Sequence, residues 1–423
     1  LWQNYIKIKK KKRKIDLKLE NLKNKIDIFD VVIIGAGASG LFLANILKDS
    51  LKVAIFEKNK IVGSKLRISG GGKTNISNLY ISDNNFFSFN KNIAIVSHNI
   101  KKFGIDEIFK FCKNNNLNYI KDERLINGSI FCKNNINLTD ILLTNIQKSK
   151  NIKLNLSHEV LTINKIDNIF NIKFNNIFDK EVFAKKIVIA SGGISYSDLI
   201  VSDISIKIAE QFNINFYKFT PALVGLTLQT EQFWFKNLSG VSILAEAKIN
   251  NKILKGSMLF THRGISGPLV MNISLYWQKG EIMLNFLPNF VIKNILDSKK
   301  QVSSLLPLPK NFILAFLETK RLSDFNLNKN NINIFEELVY ELQNYNFAPA
   351  GNFGFSKAEV SRGGIDTNSL NIDTFEALNT KNLYFIGEAI DVTGELGGFN
   401  LHWAFASATS CGDSILNDFK KNI

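Results

Sequence analysis

Short apolar runs, several closed by glycine, set the pattern of this chain. The first, Phe29-Asp30-Val31-Val32-Ile33-Ile34, is brief and β-branched, which predicts a buried parallel strand. After Gly35-Ala36-Gly37-Ala38-Ser39-Gly40, the run from Leu41 to Lys48 suits a buried helix. Lys52 to Glu57 predicts a second strand that ends in an acid. Apolar residues at 105, 108, 109 and 112 predict a helix over 106–113, with Cys112 on its core face. Residues 151–175 alternate as strands around an Asp167-Asn168 turn. Lys186 to Ala190 reads as another buried strand, ending at Ser191-Gly192-Gly193. From Pro221 to about Asn285 strands dominate, and residues 290–345 read mainly as helices. Near the end, Asn382 to Ile386 predicts a strand, followed by an acidic turn, a glycine loop and a helix.

With 423 residues the chain is long enough for two to three domains. All six prolines lie at or after Pro221, a composition shift that marks an insertion. The expected organisation is a basic, disordered and dispensable tail over 1–27 and the first part of a nucleotide-binding domain over 28–193. A β-rich insertion over 194–290 and a helical one over 291–345 come next. The chain then returns through the β-rich domain over 346–365 and completes the nucleotide-binding domain over 366–423.

Composition removes several chemistries. Three cysteines without a C-x-x-C pair exclude a disulfide framework, a zinc ribbon and an iron–sulfur cluster on local motifs. Four scattered histidines argue against a zinc hydrolase, so no metal is expected. The net charge of +16 could point to nucleic acid. However, the first 30 residues alone hold ten Lys/Arg against four Asp/Glu. The rest is loaded with Asn, Ile, Lys and Phe, all with A/T-rich codons, so genome composition accounts for much of the basicity. No stable nucleic-acid partner is therefore expected. The uncharged window from Val31 to Leu47 contains glycines and Asn45, and strand, turn and helix explain it better than a membrane span. A cytoplasmic setting without membrane attachment is expected; the oligomeric state is open.

The first glycine motif is G-x-G-x-x-G in its full βαβ context, with Glu57 22 residues after Gly35. Gly35 permits the tight turn, Gly37 lets backbone approach a pyrophosphate, and Gly40 lets helix and strand pack closely. The helix start offers free N–H groups and a positive dipole end to phosphates. Glu57 would accept from ribose hydroxyls. Two further segments favour FAD over NAD. The stretch from Ile61 to Asn78 is rich in Gly, Ser and Asn, a loop whose backbone can lie against a ligand. At the far end, Gly387-Glu388-Ala389-Ile390-Asp391 and Gly397-Gly398-Phe399-Asn400 precede a helix. An acid there can hold ribityl hydroxyls, and a glycine-led helix start can face the flavin edge where charge develops on reduction.

These segments, with Ile189-Ala190-Ser191-Gly192-Gly193, Phe260-Thr261-His262-Arg263-Gly264-Ile265-Ser266-Gly267-Pro268 and Gly363-Gly364-Ile365, resemble the BaiN/RdsA family in the family's order from about residue 29 to 417. The resemblance implies a NAD(P)/FAD-dependent oxidoreductase. It also implies an α/β fold, a Rossmann-like FAD domain of the two-dinucleotide-binding flavoprotein type with an inserted β-barrel-like and helical region. Some members are labelled aminoacetone oxidases. This chain departs from the family at Lys73-Thr74-Asn75, where Arg-Cys-Asn is usual. It also departs at Ser195–Ser205, which lacks the usual glycines, and at His402, where Gln is common.

The candidate cofactor contacts are Gly35, Gly37, Ala38, Ser39, Gly40, Glu57, Lys58, Lys65, Ser69, Gly70, Gly71, Gly72, Thr74, Asn75, Val160, Ser191, Gly192, Gly387, Glu388, Asp391, Gly397, Gly398, Asn400 and Leu401. His262 and His402 are the candidate catalytic acids, because an imidazole titrating near neutrality can exchange a proton. No second G-x-G-x-x-G is present, so NAD(P)H would dock only transiently as a donor. The leading expectation is hydride exchange between flavin N5 and a small organic substrate. A flavin-dependent tRNA-modifying enzyme and a non-catalytic flavin-binding protein are the alternatives.

Overall fold

The computed structural model describes residues 28–122, 126–133, 138–175, 181–292 and 300–421. The expected basic tail lies outside these residues, as does part of the segment expected to be helical.

A mostly parallel sheet forms the first body. Strand β1 (Ile28–Ile34) leads into helix α1 (Ala38–Leu47) and then β2 (Val53–Phe56). β1 pairs in parallel with β2 on one side and with β3 (Val182–Ile189) on the other; β3 also pairs in parallel with β4 (Leu383–Phe385). The edge beyond β2 is Ile152–Asn155, while Ile169–Phe174 and Val160–Ile166 extend the sheet antiparallel from β3. Val31, Val32 and Ile33 are fully buried, as a strand covered on both faces requires.

α1 is apolar nearly all round because it lies between this sheet and the long helix α2 (Phe399–Lys421). Phe42 stacks on Phe405 with centroids 4.3 Å apart. Opposite Ile46, α2 carries Gly412, where a Cβ would come within 2.9 Å of the Ile46 side chain. The helices therefore approach at a distance only glycine allows.

The second body is an antiparallel sheet of seven strands. Its spatial order is Tyr345–Phe347, Ile282–Asn285, Ser242–Ile249, Lys252–Thr261, Gly264–Ser266, Leu226–Thr227 and Gly351–Asn352. Alternation along Ser242–Ile249 buries Ile243, Ala245, Ala247 and Ile249 on one face. That face belongs to an aromatic core containing Phe235, Phe260, Phe286, Phe312 and Phe347, capped by helices Lys310–Thr319 and Ile332–Gln343. A two-stranded ribbon, Phe216–Ala222 paired with Val360–Ile365, runs between the bodies. Each body has its own apolar core.

The stretch expected to be loop over Ile61–Asn78 is partly ordered into a short helix, Ser64–Ile68, and a strand, Asn75–Asn78. The strand is hidden from pattern reading because its buried residues are mostly polar: Ser77 and Asn78 are buried beside Ile76. It pairs with Ser129–Cys132, so distant backbone supplies the partners. A helix, Pro268–Tyr276, also interrupts the expected β-rich stretch, with Pro268 in its first turn where a missing N–H costs nothing. Among the described residues no helix is long and apolar enough to cross a membrane.

Candidate functional site

The C-terminal ends of β1, β3 and β4 meet at one edge of the sheet, and the glycine turns leave from there. Gly35 has φ of +106°, and a Cβ on it would lie 2.5 Å from the Ala190 carbonyl oxygen. Gly40 is still tighter, with the Gly35 carbonyl oxygen 2.0 Å from where a Cβ would be. Gly37 is different, because no protein atom lies within 4 Å of its would-be Cβ. The N-terminus of α1, where Ala38 and Ser39 sit, has no capping side chain. Free N–H groups beside open space form a cradle for an anion.

Glu57 ends the second strand and folds back to this turn. Its carboxylate accepts from the Ala36 N–H at 2.7 Å and from the Asn59 backbone N–H at 2.9 Å. The side chain is thereby fixed at the edge of the cradle. Lys58 is ion-paired with Glu159 at 2.9 Å, and Val160, at the start of the neighbouring strand, is buried.

The opposite wall comes from the C-terminal segment. Gly387, at φ of +67°, approaches Ser39 so closely that a Cβ would sit 2.6 Å from its Oγ. Lys65 donates to both oxygens of Glu388, at 2.9 and 2.7 Å, and to Ser195. Glu388 also accepts from the Ser361 N–H at 2.8 Å. A Cβ on Gly192 would lie 3.8 Å from a Glu388 carboxylate oxygen, and the buried Ser191 Oγ has no partner. Nearby, burial raises the Glu359 carboxyl above its ordinary range, with Lys65 opposing. Sequence reading missed Ser195, Glu359 and Ser361, which join the site only through the ribbon and the loop after β3.

Gly70, Gly71 and Gly72 all adopt left-handed conformations, and a Cβ on Gly71 or Gly72 would meet no protein atom. Ser69 holds the turn by donating to the Leu66 carbonyl. Thr74 is fully buried with its Oγ1 unpartnered. With its side-chain oxygen turned toward α2, Asn75 accepts from the Gly398 N–H at 3.2 Å and donates to the Ser77 carbonyl at 3.0 Å. A Cβ on Gly398 would lie 2.4 Å from the Ser77 oxygen, so this glycine brings the start of α2 against the 75–78 strand. Gly397 packs likewise, its carbonyl accepting from Asn78. Asn400 braces the preceding turn: its Oδ1 accepts from the Gly394 N–H and its Nδ2 donates to the Gly394 carbonyl, both at 2.8 Å. Leu401 is half-buried against the first core.

Asp391 is completely buried. Its Oδ2 accepts from Ser88 Oγ at 2.8 Å and the Phe89 N–H at 2.7 Å, while Oδ1 has no partner. Burial pushes its carboxyl up to about 6 against the pull of those hydrogen bonds.

The two histidines have different surroundings. His402 is fully buried, with Nδ1 2.7 Å from Ser77 Oγ and Nε2 2.8 Å from the Phe103 carbonyl. Burial pushes it down to about 4. Both ring nitrogens are engaged, so its geometry is that of a strut between α2, the 75–78 strand and Phe103 rather than of a proton donor. His262 is exposed at the tip of the hairpin between Lys252–Thr261 and Gly264–Ser266.

The open cradle at Gly37, the anchored carboxylate of Glu57, the unpartnered Ser191 and Asp391 oxygens and the bare Gly71-Gly72 backbone fit an extended dinucleotide such as FAD. Phosphates would sit on the α1 start, ribose at Glu57, and the ribityl and ring portions between the 191–192 loop and the start of α2.

A family model described as HI0933-like protein Rossmann domain matches residues 29–414. The chain is 32% identical to the ribosomal RNA dihydrouridine synthase of Escherichia coli, covering 92% of this chain and 98% of that protein. It is 24% identical to the 3-dehydro-bile acid delta(4,6)-reductase of Clostridium scindens, covering 90% and 97%. Among solved structures, 3-ketosteroid-delta4-(5alpha)-dehydrogenase from Rhodococcus jostii shares the fold, with a TM-score of 0.50 at 12% identity over 92% of this chain and 97% of the other. The β1–α1–β2 cradle, the C-terminal wall and this full-length similarity lead to one assignment: the chain belongs to the HI0933-like Rossmann family, the BaiN/RdsA group of FAD-dependent oxidoreductases.

Proposed function

We propose that this protein reduces a carbon–carbon double bond conjugated to a carbonyl, and that its substrate is a uridine of ribosomal RNA. The observation that carries the reading is the 32% identity to an rRNA dihydrouridine synthase across 98% of that protein's length. The bile-acid reductase, at 24%, is more distant and names a chemically parallel reaction. In uracil the C5=C6 bond is conjugated to the C4 carbonyl, as the double bond of a 3-oxo steroid enone is to its ketone. Bound FAD would supply hydride chemistry, so that the ring gains a hydride at one carbon and a proton at the other.

The chain's own contribution is placement. Gly37 and the α1 start would hold the pyrophosphate, Glu57 the ribose, and Glu388 or Asp391 the ribityl hydroxyls. NAD(P)H is proposed as the transient donor of the two electrons. This reading takes RNA in place of the small organic substrate expected from the sequence, and it gives the net charge of +16 a functional role.

The test is incubation of FAD-loaded protein and NAD(P)H with ribosomal RNA prepared free of dihydrouridine, followed by nucleoside mass analysis. A uridine gaining two hydrogens is expected. Reduction of steroid enones with RNA untouched would favour the second relative's chemistry and overturn the RNA assignment.

A further inference from the structure

A continuous rim joins the cofactor cradle to the tip of the second body. At one end, Asn59, which holds Glu57, donates to the Ile200 carbonyl at 3.4 Å. The loop bearing Ile200 is tied in turn to the 353–357 turn by a bond from the Tyr196 N–H to the Phe355 carbonyl, 2.9 Å. Finally, the Arg263 guanidinium lies over the Phe353 ring, 5.1 Å from its centroid.

The rim is rigid where it meets solvent. Thr261 Oγ1 accepts from the N–H groups of Arg263 and Gly264 at 3.3 and 3.1 Å and donates to the Gly264 carbonyl at 3.0 Å. Gly264 cannot be replaced without backbone collision, since a Cβ would lie 2.0 Å from the Leu226 carbonyl oxygen. The Phe353 ring is pinned from below, within 2.4 Å of where a Cβ of Gly225 would be. Yet the hydrogen-bonding and charged groups that this scaffold presents are left for solvent. The His262, Arg263 and Lys357 side chains are exposed and have no hydrogen-bond or ion-pair partner among the described residues. Lys60 is exposed at the cradle end, and Ile200 shows 60% of its surface. Asp198 is also exposed on the middle loop, so the cations outnumber this acid.

We propose that this rim is the landing surface for the single-stranded RNA flanking the target uridine. Arg263, braced on the Phe353 ring, and Lys357 would meet phosphates, and the exposed His262 ring would offer a face for base stacking. The inference rests on the RNA reading above and specifies its contact surface. A uracil paired in a helix cannot reach a recessed site, so the flanking strand must be unpaired or splayed out. A rigid aromatic–cation pair beside exposed cations suits that strand, because stacking accepts any base and phosphate contacts need no sequence.

Fluorescence anisotropy of a labelled, uridine-containing single-stranded RNA of about twelve nucleotides, titrated with FAD-loaded protein across a salt series, tests this. The double variant Arg263→Ala with Lys357→Ala is expected to keep its flavin absorbance and bind roughly tenfold more weakly, with a shallower salt slope. A control pair of exposed lysines outside the rim, Lys101→Ala on the helix Ala94–Lys102 with Lys113→Ala on the helix Ile105–Asn114, is expected to bind as wild type does. The proposal is overturned if the rim variant keeps wild-type affinity and slope, if the control pair loses as much, or if the wild type does not bind the RNA. Binding is read without turnover. Intact, rim-dependent binding without dihydrouridine formation would therefore count against the proposed reaction alone.

Discussion

Lys65 and Glu388, 323 positions apart, meet in a two-pronged ion pair of 2.7 and 2.9 Å that joins the glycine-loop helix to the turn after β4. The pair is partly shielded and shares Ser195 and the Ser361 N–H. Removing Lys65 leaves Glu388 with the Ser361 N–H and the Ser195 hydroxyl, whereas removing Glu388 leaves Lys65 with Ser195 alone and the Ser361 N–H without its acceptor. We expect Glu388→Ala to cost more stability than Lys65→Ala. A double-mutant cycle should give a coupling of about 1–2 kcal/mol. Additive losses in denaturant titrations would show that the contact contributes nothing.

Gly35 and Gly37 stand two residues apart and should fail differently. At Gly35 a side chain collides with Ala190 backbone at a left-handed φ, so Gly35→Ala should destabilise the protein whether or not FAD is present. At Gly37 the space is empty and φ is −84°, so Gly37→Val should fold with near-normal stability yet purify colourless. A yellow, fully loaded Gly37→Val protein would place the pyrophosphate elsewhere.

Glu57→Ala should weaken FAD binding by about 1–3 kcal/mol, through the lost ribose contacts and the freed Ala36 and Asn59 N–H groups. Isothermal titration of apoprotein with FAD measures it. Unchanged affinity would remove Glu57 from the cofactor site.

What the sequence reveals, and what it hides, follows from the reach of each interaction. The β1–α1–β2 unit was legible because its chemistry is local: continuous apolar runs, glycine spacing and a terminal acid all lie within 30 residues. The Lys65–Glu388 pair was not, since neither residue announces a partner so far along the chain. The 75–78 strand escaped because Ser77 and Asn78 are buried polar groups satisfied by distant residues, including His402 and Gly397. His402 looked like an acid near a helix start, but burial depends on Phe103 and the 75–78 strand closing over it.

His402 gives the first of two opposite pH effects. Its folded value of about 4 lies below the ordinary 6.5, so the folded state resists protonation. The stability linked to this histidine is complete above about pH 6.5 and is lost as pH falls toward 4, about 3 kcal/mol in all. His402→Gln keeps a donor and an acceptor but cannot titrate. Its denaturation midpoint should fall less steeply over that window. Matching acid limbs in the two proteins would mean that His402 is not buried neutral in solution.

Asp391 should produce the reverse slope. Its folded value of about 6 lies above the ordinary 3.8, with burial as the main cause. Protonated Asp391 suits the core, so its contribution is whole below about pH 3.8 and is lost as pH rises through 6, again about 3 kcal/mol. Asp391→Asn keeps an oxygen for Ser88 and Phe89 but never ionises. It should match wild-type apoprotein near pH 4 and exceed it near pH 7. Loading with FAD adds a discriminating arm. If ribityl hydroxyls donate to the unpartnered Oδ1, they stabilise the ionised form, lower its titration point and flatten the wild-type slope. A slope unchanged by FAD would mean that Asp391 holds only the 88–89 segment, leaving Glu388 to meet the ribityl chain. Parallel stability curves for variant and wild-type apoprotein would mean that Asp391 is not the buried, raised carboxyl described.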